Sequence, residues 1–148
     1  MARKKPRQFA GGFLALPHAL LHSPAFRSLS YKAVKLLLDI ASQFNGKNNG
    51  DLCAAWKIMV ARGWKSEQTL QVAKNELLQA GMIAETRKGR RPNVCSLYGI
   101  TWQPLNPSDK FEIEPFAFPV GAWDRVNRPL IIVKRPPKNT SLTTIPEI

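Results

Sequence analysis

The chain has 148 residues, 44% of them hydrophobic, which suits one folded domain of about 100 residues with extensions. Its net charge is +12, with 22 Lys and Arg against 10 Asp and Glu, so a polyanion such as nucleic acid is the first partner to consider. Two cysteines are too few for a disulfide framework, and no apolar run approaches the ~18 residues of a membrane span, so we expect a cytoplasmic protein with reduced thiols and no membrane partner.

The basic charge is concentrated in the first two thirds of the chain. Residues 1–102 hold 16 Lys and Arg against 5 Asp and Glu, whereas residues 103–148 hold 6 against 5. We expect a flexible basic arm at 1–8, a folded domain at 9–102, and an extended, partly disordered C-terminal extension at 103–148. An arm with four cations is typical of segments that follow a DNA groove, and a solvated tail is an equally good interpretation.

The segment 9–29 is apolar and is interrupted by two prolines. It predicts a short strand or extended piece at 13–16, a short helix over about 17–22, and a second turn over 24–27. We expect this segment to pack over the domain or against a second subunit.

Ser30 is expected to cap a helix over 31–44, because its hydroxyl can accept a hydrogen bond from the first turn. On the exposed side of this helix, the sequence predicts Lys32, Lys35 and Asp39. Two Asn/Gly pairs follow the helix, and a short strand is expected to begin at 51–52. The buried stripe predicted from helical spacing consists of Ala33, Leu36, Leu37, Ile40, Ala41 and Phe44.

The next helix is predicted over 53–62, buried through Trp56, Met59 and Val60 or their neighbours. A turn at 63–64, which contains a glycine, then leads into a third helix.

The third helix is predicted to begin after Ser66, an N-cap residue, and to end at Gly81, a favourable residue just past a helix end. The face predicted to be exposed is rich in amides, which can pair bidentately with adenine in a major groove. Taken alone, this helix is more simply interpreted as having an ordinary solvated face. The predicted buried face consists of Leu70, Ala73, Leu77 and Ala80. The predicted exposed face consists of Gln68, Gln71, Val72, Asn75 and Gln79.

A hairpin with a cationic turn is predicted directly after this helix. Strands are expected at 82–86 and 94–102, joined by a turn at 87–93. In the second strand, Leu97, Gly99 and Thr101 should alternate with Tyr98, Ile100 and Trp102. Such a turn would lie along a phosphate backbone while the helix enters the groove. The turn carries four cations, Arg87, Lys88, Arg90 and Arg91.

The chain after Trp102 contains most of the twelve prolines and less regular patterning. Residues 111–114 alternate like an edge strand, with Glu112 and Glu114 on one exposed edge. The aromatic segment 116–123 is expected to dock on its own domain or on a partner. An apolar tetrapeptide at 130–133 is a candidate strand for pairing with another chain, and 140–148 should be disordered.

An enzyme is not expected, because the sequence lacks a Gly-rich phosphate loop, a Cys-x-x-Cys pair and a serine elbow. His18 and His22 have the i, i+4 spacing of metal ligands on one helix face, but no third histidine completes a site. We therefore expect no catalytic residue, no metal and no cofactor.

The order of helix, short strand, helix, turn, helix and hairpin is that of a winged helix-turn-helix. The chain also resembles winged-helix proteins of proteobacterial phages, prophages and plasmids over about residues 9–123. In the winged-helix class, Ser66, Thr69, Gln71, Val72 and Asn75 match positions that usually face DNA, where the class often has Arg. The motifs that carry the resemblance are FLALPH at 13–18, SPAF at 23–26, LS at 29–30, NNG at 48–50, RGWKS at 62–66, AK at 73–74, ELL at 76–78, Gly81, Ile83, RPN at 91–93, LY at 97–98, TW at 101–102 and FPVGAW at 118–123.

The sequence therefore predicts a mainly α protein with a small β-hairpin, an α+β fold of the winged helix-turn-helix type. The resemblance implies a double-stranded DNA-binding protein, a transcriptional regulator acting as a repressor for a phage or plasmid, and a homodimer is expected. A replication or partition factor is one alternative, and a phage-encoded inhibitor that binds a host protein is another. The residues predicted to contact DNA are Lys65, Ser66, Gln68, Thr69, Gln71, Val72, Asn75, Arg87, Lys88, Arg90 and Arg91.

Overall fold

A computed structural model describes residues 9–125. The basic arm at 1–8, the strand expected at 130–133 and the tail at 140–148 lie outside the described residues. Two short helices, α1 (His18–Leu21) and α2 (Pro24–Arg27), follow the two prolines as predicted. Residues 13–16 form no strand.

Helix α3 (Tyr31–Ala41) begins at the predicted cap, because the Oγ of Ser30 accepts a 3.2 Å hydrogen bond from the backbone of Ala33. It ends three residues before the predicted boundary. The last turn tightens to i−3 hydrogen bonds, and the side-chain amide of Asn48 donates to the carbonyl of Gln43 at 2.8 Å. The predicted stripe is buried up to Ala41, and Phe44 is half-buried beyond the helix end.

The expectation that Asp39 lies outside is wrong. Asp39 is only 6% exposed, and its Oδ2 accepts 2.7 and 2.8 Å hydrogen bonds from Lys35 and the indole of Trp64. Its Oδ1 accepts from Arg62 at 2.9 Å. Burial raises the pKa of Asp39, and the three hydrogen bonds outweigh burial, so the pKa lies below its ordinary value of 3.8.

Strand β1 (Leu52–Cys53) and helix α4 (Trp56–Val60) divide the region predicted as one helix over 53–62. Cys53 pairs with β3, and both of its backbone groups are hydrogen-bonded to the side-chain amide of Gln43, at 2.7 and 2.9 Å. The contacts with β3 and Gln43 hold Cys53 in the sheet, so the helix begins only at Trp56. Met59 is buried as predicted, whereas Val60 is 47% exposed.

Helix α5 (Glu67–Gln79) begins and ends where the sequence predicted. The Oγ of Ser66 accepts a 3.3 Å hydrogen bond from the backbone of Thr69. Gly81 follows the C-cap with φ of 71°, and a Cβ at this position would lie 2.8 Å from the backbone of Ala122. The predicted face of Leu70, Ala73, Leu77 and Ala80 is buried.

Strands β2 (Ile83–Arg87) and β3 (Leu97–Ile100) form the predicted hairpin. The sheet is antiparallel with the order β1-β3-β2, so β3 is paired on both sides. The second strand is shorter than the predicted 94–102, because the chain before Leu97 leaves the ladder and pairs only through a bridge between Arg90 and Val94.

Every residue of β3 is buried, because both faces of the sheet are covered. Ile100 lies in the helical core, whereas Gly99 faces the ring of Phe118 from the C-terminal segment. The edge strand expected at 111–114 does not form, although the backbone of Glu112 donates to the carbonyl of Thr86 at 2.8 Å. Two short 3-10 helices, Pro115–Ala117 and Ala122–Asp124, complete the segment.

The described chain is therefore an α+β fold in which α3 and α5 pack against a small three-stranded antiparallel sheet. No helix among residues 9–125 is long and apolar enough to cross a membrane.

Candidate nucleic-acid interface

The exposed face of α5 carries the amide groups that the sequence placed there. Gln68, Gln71, Asn75 and Gln79 are exposed, and Val72 is 61% exposed. The amide of Gln71 donates a 3.0 Å hydrogen bond to Asn75, one helical turn further on. This face, defined by the five residues, is called the amide face below.

Three further candidate residues lie at the start of α5. Lys65 is exposed in the preceding turn, whereas Thr69 is half-buried. Ser66 is exposed, and its Oγ is the N-cap acceptor. These residues extend the polar surface of the amide face toward the N-terminus of the helix.

The four predicted cations of the hairpin differ in their surroundings. The guanidinium of Arg87 donates to the carbonyl of Cys95 at 3.2 and 2.9 Å, so Arg87 braces the two strands. Lys88 and Arg91 are exposed and have no ion pair among the described residues. Arg90 pairs with Glu112 at 3.0 Å. Residues 88–95 are called the hairpin tip below.

The surroundings of Glu112 differ from those predicted from the sequence. Glu112 is exposed as expected, but no strand edge forms there. Its Oε1 accepts from Arg90 at 3.0 Å, and its Oε2 accepts from the backbone of Lys88 at 3.3 Å. One acidic side chain from the C-terminal segment therefore lies against the cationic tip and offsets part of its charge.

A cleft of about 360 Å³ joins the hairpin tip to α5. Lys74 of α5 and two hairpin cations, Arg90 and Arg91, are among its lining residues. Lys74 is three residues from Gln71, so the cleft borders the amide face directly. The structure therefore places two of the predicted hairpin cations, Arg90 and Arg91, beside Lys74 at the border of the amide face.

Lys74 was not among the predicted contact residues. It is half-buried, with its ammonium 5.8 Å from the centroid of the Tyr98 ring, and burial lowers its pKa. Burial likewise raises the pKa of Tyr98. The helical spacing from Gln71 put Lys74 at the border of the amide face, but only the position of the hairpin reveals the cleft.

On the other side of α5, a smaller groove of about 260 Å³ separates the helix from α3. Lys32, Gln68 and Val72 are among its lining residues. The carboxylate of Glu76 accepts from the backbone and hydroxyl of Ser30, at 2.8 and 2.9 Å. This contact fixes the start of α3 against α5, so the orientation of the amide face is set by the core helices.

Among residues 9–125, no group of three or more His, Cys, Asp or Glu is arranged to hold a metal ion. The rings of His18 and His22 stack with their centroids 6.2 Å apart. Comparison of the chain with protein-family models, with curated proteins and with solved structures found no match.

Proposed function

We propose that the chain is a double-stranded DNA-binding protein of the winged-helix type, with α5 as the recognition helix and the β2–β3 hairpin as the wing. The observation that carries this proposal is the cleft that the hairpin tip shares with Lys74 of α5, a residue one helical turn from Gln71 of the amide face. A duplex contacting one surface would reach the other, since a major groove admits a helix and its flanking backbone runs beside it.

The two surfaces would have different roles. Gln68, Gln71, Val72 and Asn75 are exposed and suited to base edges, with Val72 against a thymine methyl group. The remaining candidates are suited to the phosphate backbone, with Ser66 as the cap that sets the helix start. The proposed phosphate contacts are Lys65, Thr69, Arg87, Lys88, Arg90 and Arg91.

The cellular role proposed is transcriptional regulation, as a repressor of a phage or plasmid, by a homodimer. It rests on the sequence resemblance. A dimer would select palindromic sites with half-sites about one helical turn apart, so selection of bound sequences from a random DNA pool tests both specificity and symmetry. Binding to iterated repeats beside a replication origin would favour the replication or partition alternative.

The salt dependence of duplex binding tests the proposal at its physical basis. If about five to eight phosphates are neutralised, log affinity should fall against log salt concentration with a slope of about −4 to −7. Fluorescence anisotropy on a labelled duplex measures this slope. A slope near zero would exclude the phosphate contacts.

A second candidate function, capture of a host protein, has one specific observation in its favour. Phe116 is 88% exposed, whereas Phe118, two residues further on, is 5% exposed and packs over Gly99. An exposed ring on an anchored segment suits a protein contact. Retention of a host partner at high salt, lost in Phe116→Ala and without retardation of DNA, would favour this function.

A further inference from the structure

The cleft between α5 and the hairpin tip has the composition of an anion site. Its volume of about 360 Å³ falls in the range of small-ligand pockets. Lys74, Arg90 and Arg91 line it, and among the described lining residues none is a carboxylate. The cleft therefore gathers three positive charges with no acidic group on its walls.

Lys74 is the most buried of the three cations that line this cleft. It has no ion pair within 4.0 Å among the described residues. Burial lowers the pKa of Lys74 and outweighs the opposite effects of Cys53 and Glu85. The Tyr98 ring attracts the ammonium without neutralising it. A partly desolvated ammonium without a counter-charge is unfavourable, and an incoming anion would relieve that cost.

The other two cations of the cleft, Arg90 and Arg91, are more exposed than Lys74. Arg91 is exposed and unpaired among the described residues, while Arg90 also contacts Glu112. The remaining wall is apolar, with Ala54, Pro92 and Val94 among its residues. An oxyanion with several acceptor oxygens can contact an ammonium and a guanidinium at once, and a carbon-bearing part could lie on the apolar wall.

We propose that this cleft binds a phosphate group, with Lys74 as its inner contact and Arg91 as its outer contact. The phosphate could belong to a DNA backbone, in which case the assignment rests on the proposed function, or to a free phosphorylated small molecule. The two sources share the same chemistry at Lys74 and are separated by experiment.

The site is tested by titrating the full chain with sodium phosphate against sodium chloride at matched ionic strength, while following the lysine ε-methylene signals by NMR. We expect a saturable shift of the Lys74 signal and a rise in the pKa of Lys74, because a bound anion favours the ammonium form. Absence of a saturable shift in the wild-type protein would overturn the proposal without any variant having to fold.

Matched charge variants give the second readout, by calorimetry with phosphate. Lys74→Gln should weaken phosphate binding by roughly tenfold or more, the effect of losing a charge-assisted hydrogen bond. Lys47→Gln removes the same charge from an exposed loop that does not line the cleft, and should change binding by less than about twofold. Equal effects of the two variants would overturn the site.

A duplex titration identifies the source of the phosphate. If DNA supplies it, Lys74→Gln should also weaken duplex binding; if a free compound does, a mononucleotide should bind the cleft and Lys74→Gln should leave duplex affinity unchanged. Either result supports the site. Phosphate binding without duplex binding would support the site and contradict the DNA-binding function. Duplex binding without phosphate binding in the cleft would contradict the site and support the DNA-binding function.

Discussion

The guanidinium Nη2 of Arg90 lies 3.0 Å from Oε1 of Glu112, so one cation of the hairpin tip already has an acidic partner. A phosphate that approaches Arg90 must compete with this carboxylate. Because the Arg90 side chain is 72% exposed and that of Glu112 is 39% exposed, solvent screens the pair and it adds little stability, so its main consequence is electrostatic.

Glu112→Gln should therefore strengthen duplex binding by roughly threefold or more at 0.1 M salt, and steepen the salt slope by up to about one. Glu114→Gln is the matched control, since it removes the same charge from the same segment and Glu114 has no ion pair among the described residues. Fluorescence anisotropy compares the two variants. If both variants gained the same duplex affinity, the gain would come from net charge alone and the contact between Glu112 and Arg90 would have no part in it.

Asp39→Asn should destabilise the fold by about 2 kcal/mol at pH 7, because it weakens three hydrogen bonds to a buried carboxylate. This loss is smaller than for three fully buried ionic contacts, because Lys35 and Arg62 are half-exposed and solvent screens their charges. Urea unfolding followed by tryptophan fluorescence measures the loss. Asp109→Asn, at an exposed position outside this network, is the control and should change the free energy of unfolding by less than about 0.5 kcal/mol.

The same substitution predicts a pH dependence. The folded pKa of Asp39 lies below its ordinary value of 3.8, so its contribution to stability is present above that value and is lost as the pH falls through the folded pKa. The difference in unfolding free energy between wild type and Asp39→Asn should therefore shrink below pH 4. A difference that stays constant down to pH 2 would contradict the assigned ionisation.

Asn49→Ala should be among the most destabilising substitutions outside the apolar core. Asn49 is fully buried; its Oδ1 accepts from the backbone of Ile100 at 2.8 Å, and its Nδ2 lies 3.0 Å from three carbonyls at the end of β3 and just beyond it. Losing this side chain leaves buried backbone groups unpaired, at a cost of about 3 kcal/mol. Asn45→Ala, at an exposed position in the same turn, should cost less than about 1 kcal/mol, and comparable losses would contradict the assignment.

Gly99→Ala should test whether the C-terminal segment is docked on the sheet. A Cβ at Gly99 would lie 2.7 Å from the ring of Phe118, so we expect a loss of about 1–3 kcal/mol. In the Phe118→Ala background the same substitution should cost much less, because the ring is gone. Thermal unfolding of the four proteins of this double-mutant cycle measures the coupling, and additive effects would show that the two residues do not touch.

The parts of the fold governed by local signals were predictable from the sequence. Ser66 and Gly81 set the ends of α5, and the spacing of apolar residues gave its buried face, because capping and periodicity act within one or two turns. The exposed amide face followed from the same periodicity. These signals need no information about distant parts of the chain.

The errors arose where distant residues decide the outcome. The sequence pattern predicts Cys53 in a helix, but the Gln43 side chain and β3 hold it in the sheet. Helical spacing predicts Asp39 on the exposed face of its helix, because spacing alone does not reveal that Trp64 and Arg62 donate to its carboxylate. Lys74 was omitted from the candidate interface for the same reason, since its cleft exists only where the hairpin folds back beside α5.

The measurement that most directly tests the central claim is duplex binding by two double variants over a range of salt concentrations. Lys88→Gln with Arg91→Gln should weaken binding to all sequences alike and make the salt slope shallower by about two, whereas Gln71→Ala with Asn75→Ala should change sequence preference and leave the slope unchanged. If the double variant of Lys88 and Arg91 bound the duplex with the affinity and salt slope of the wild-type protein, the proposed phosphate contacts of the hairpin tip would be contradicted.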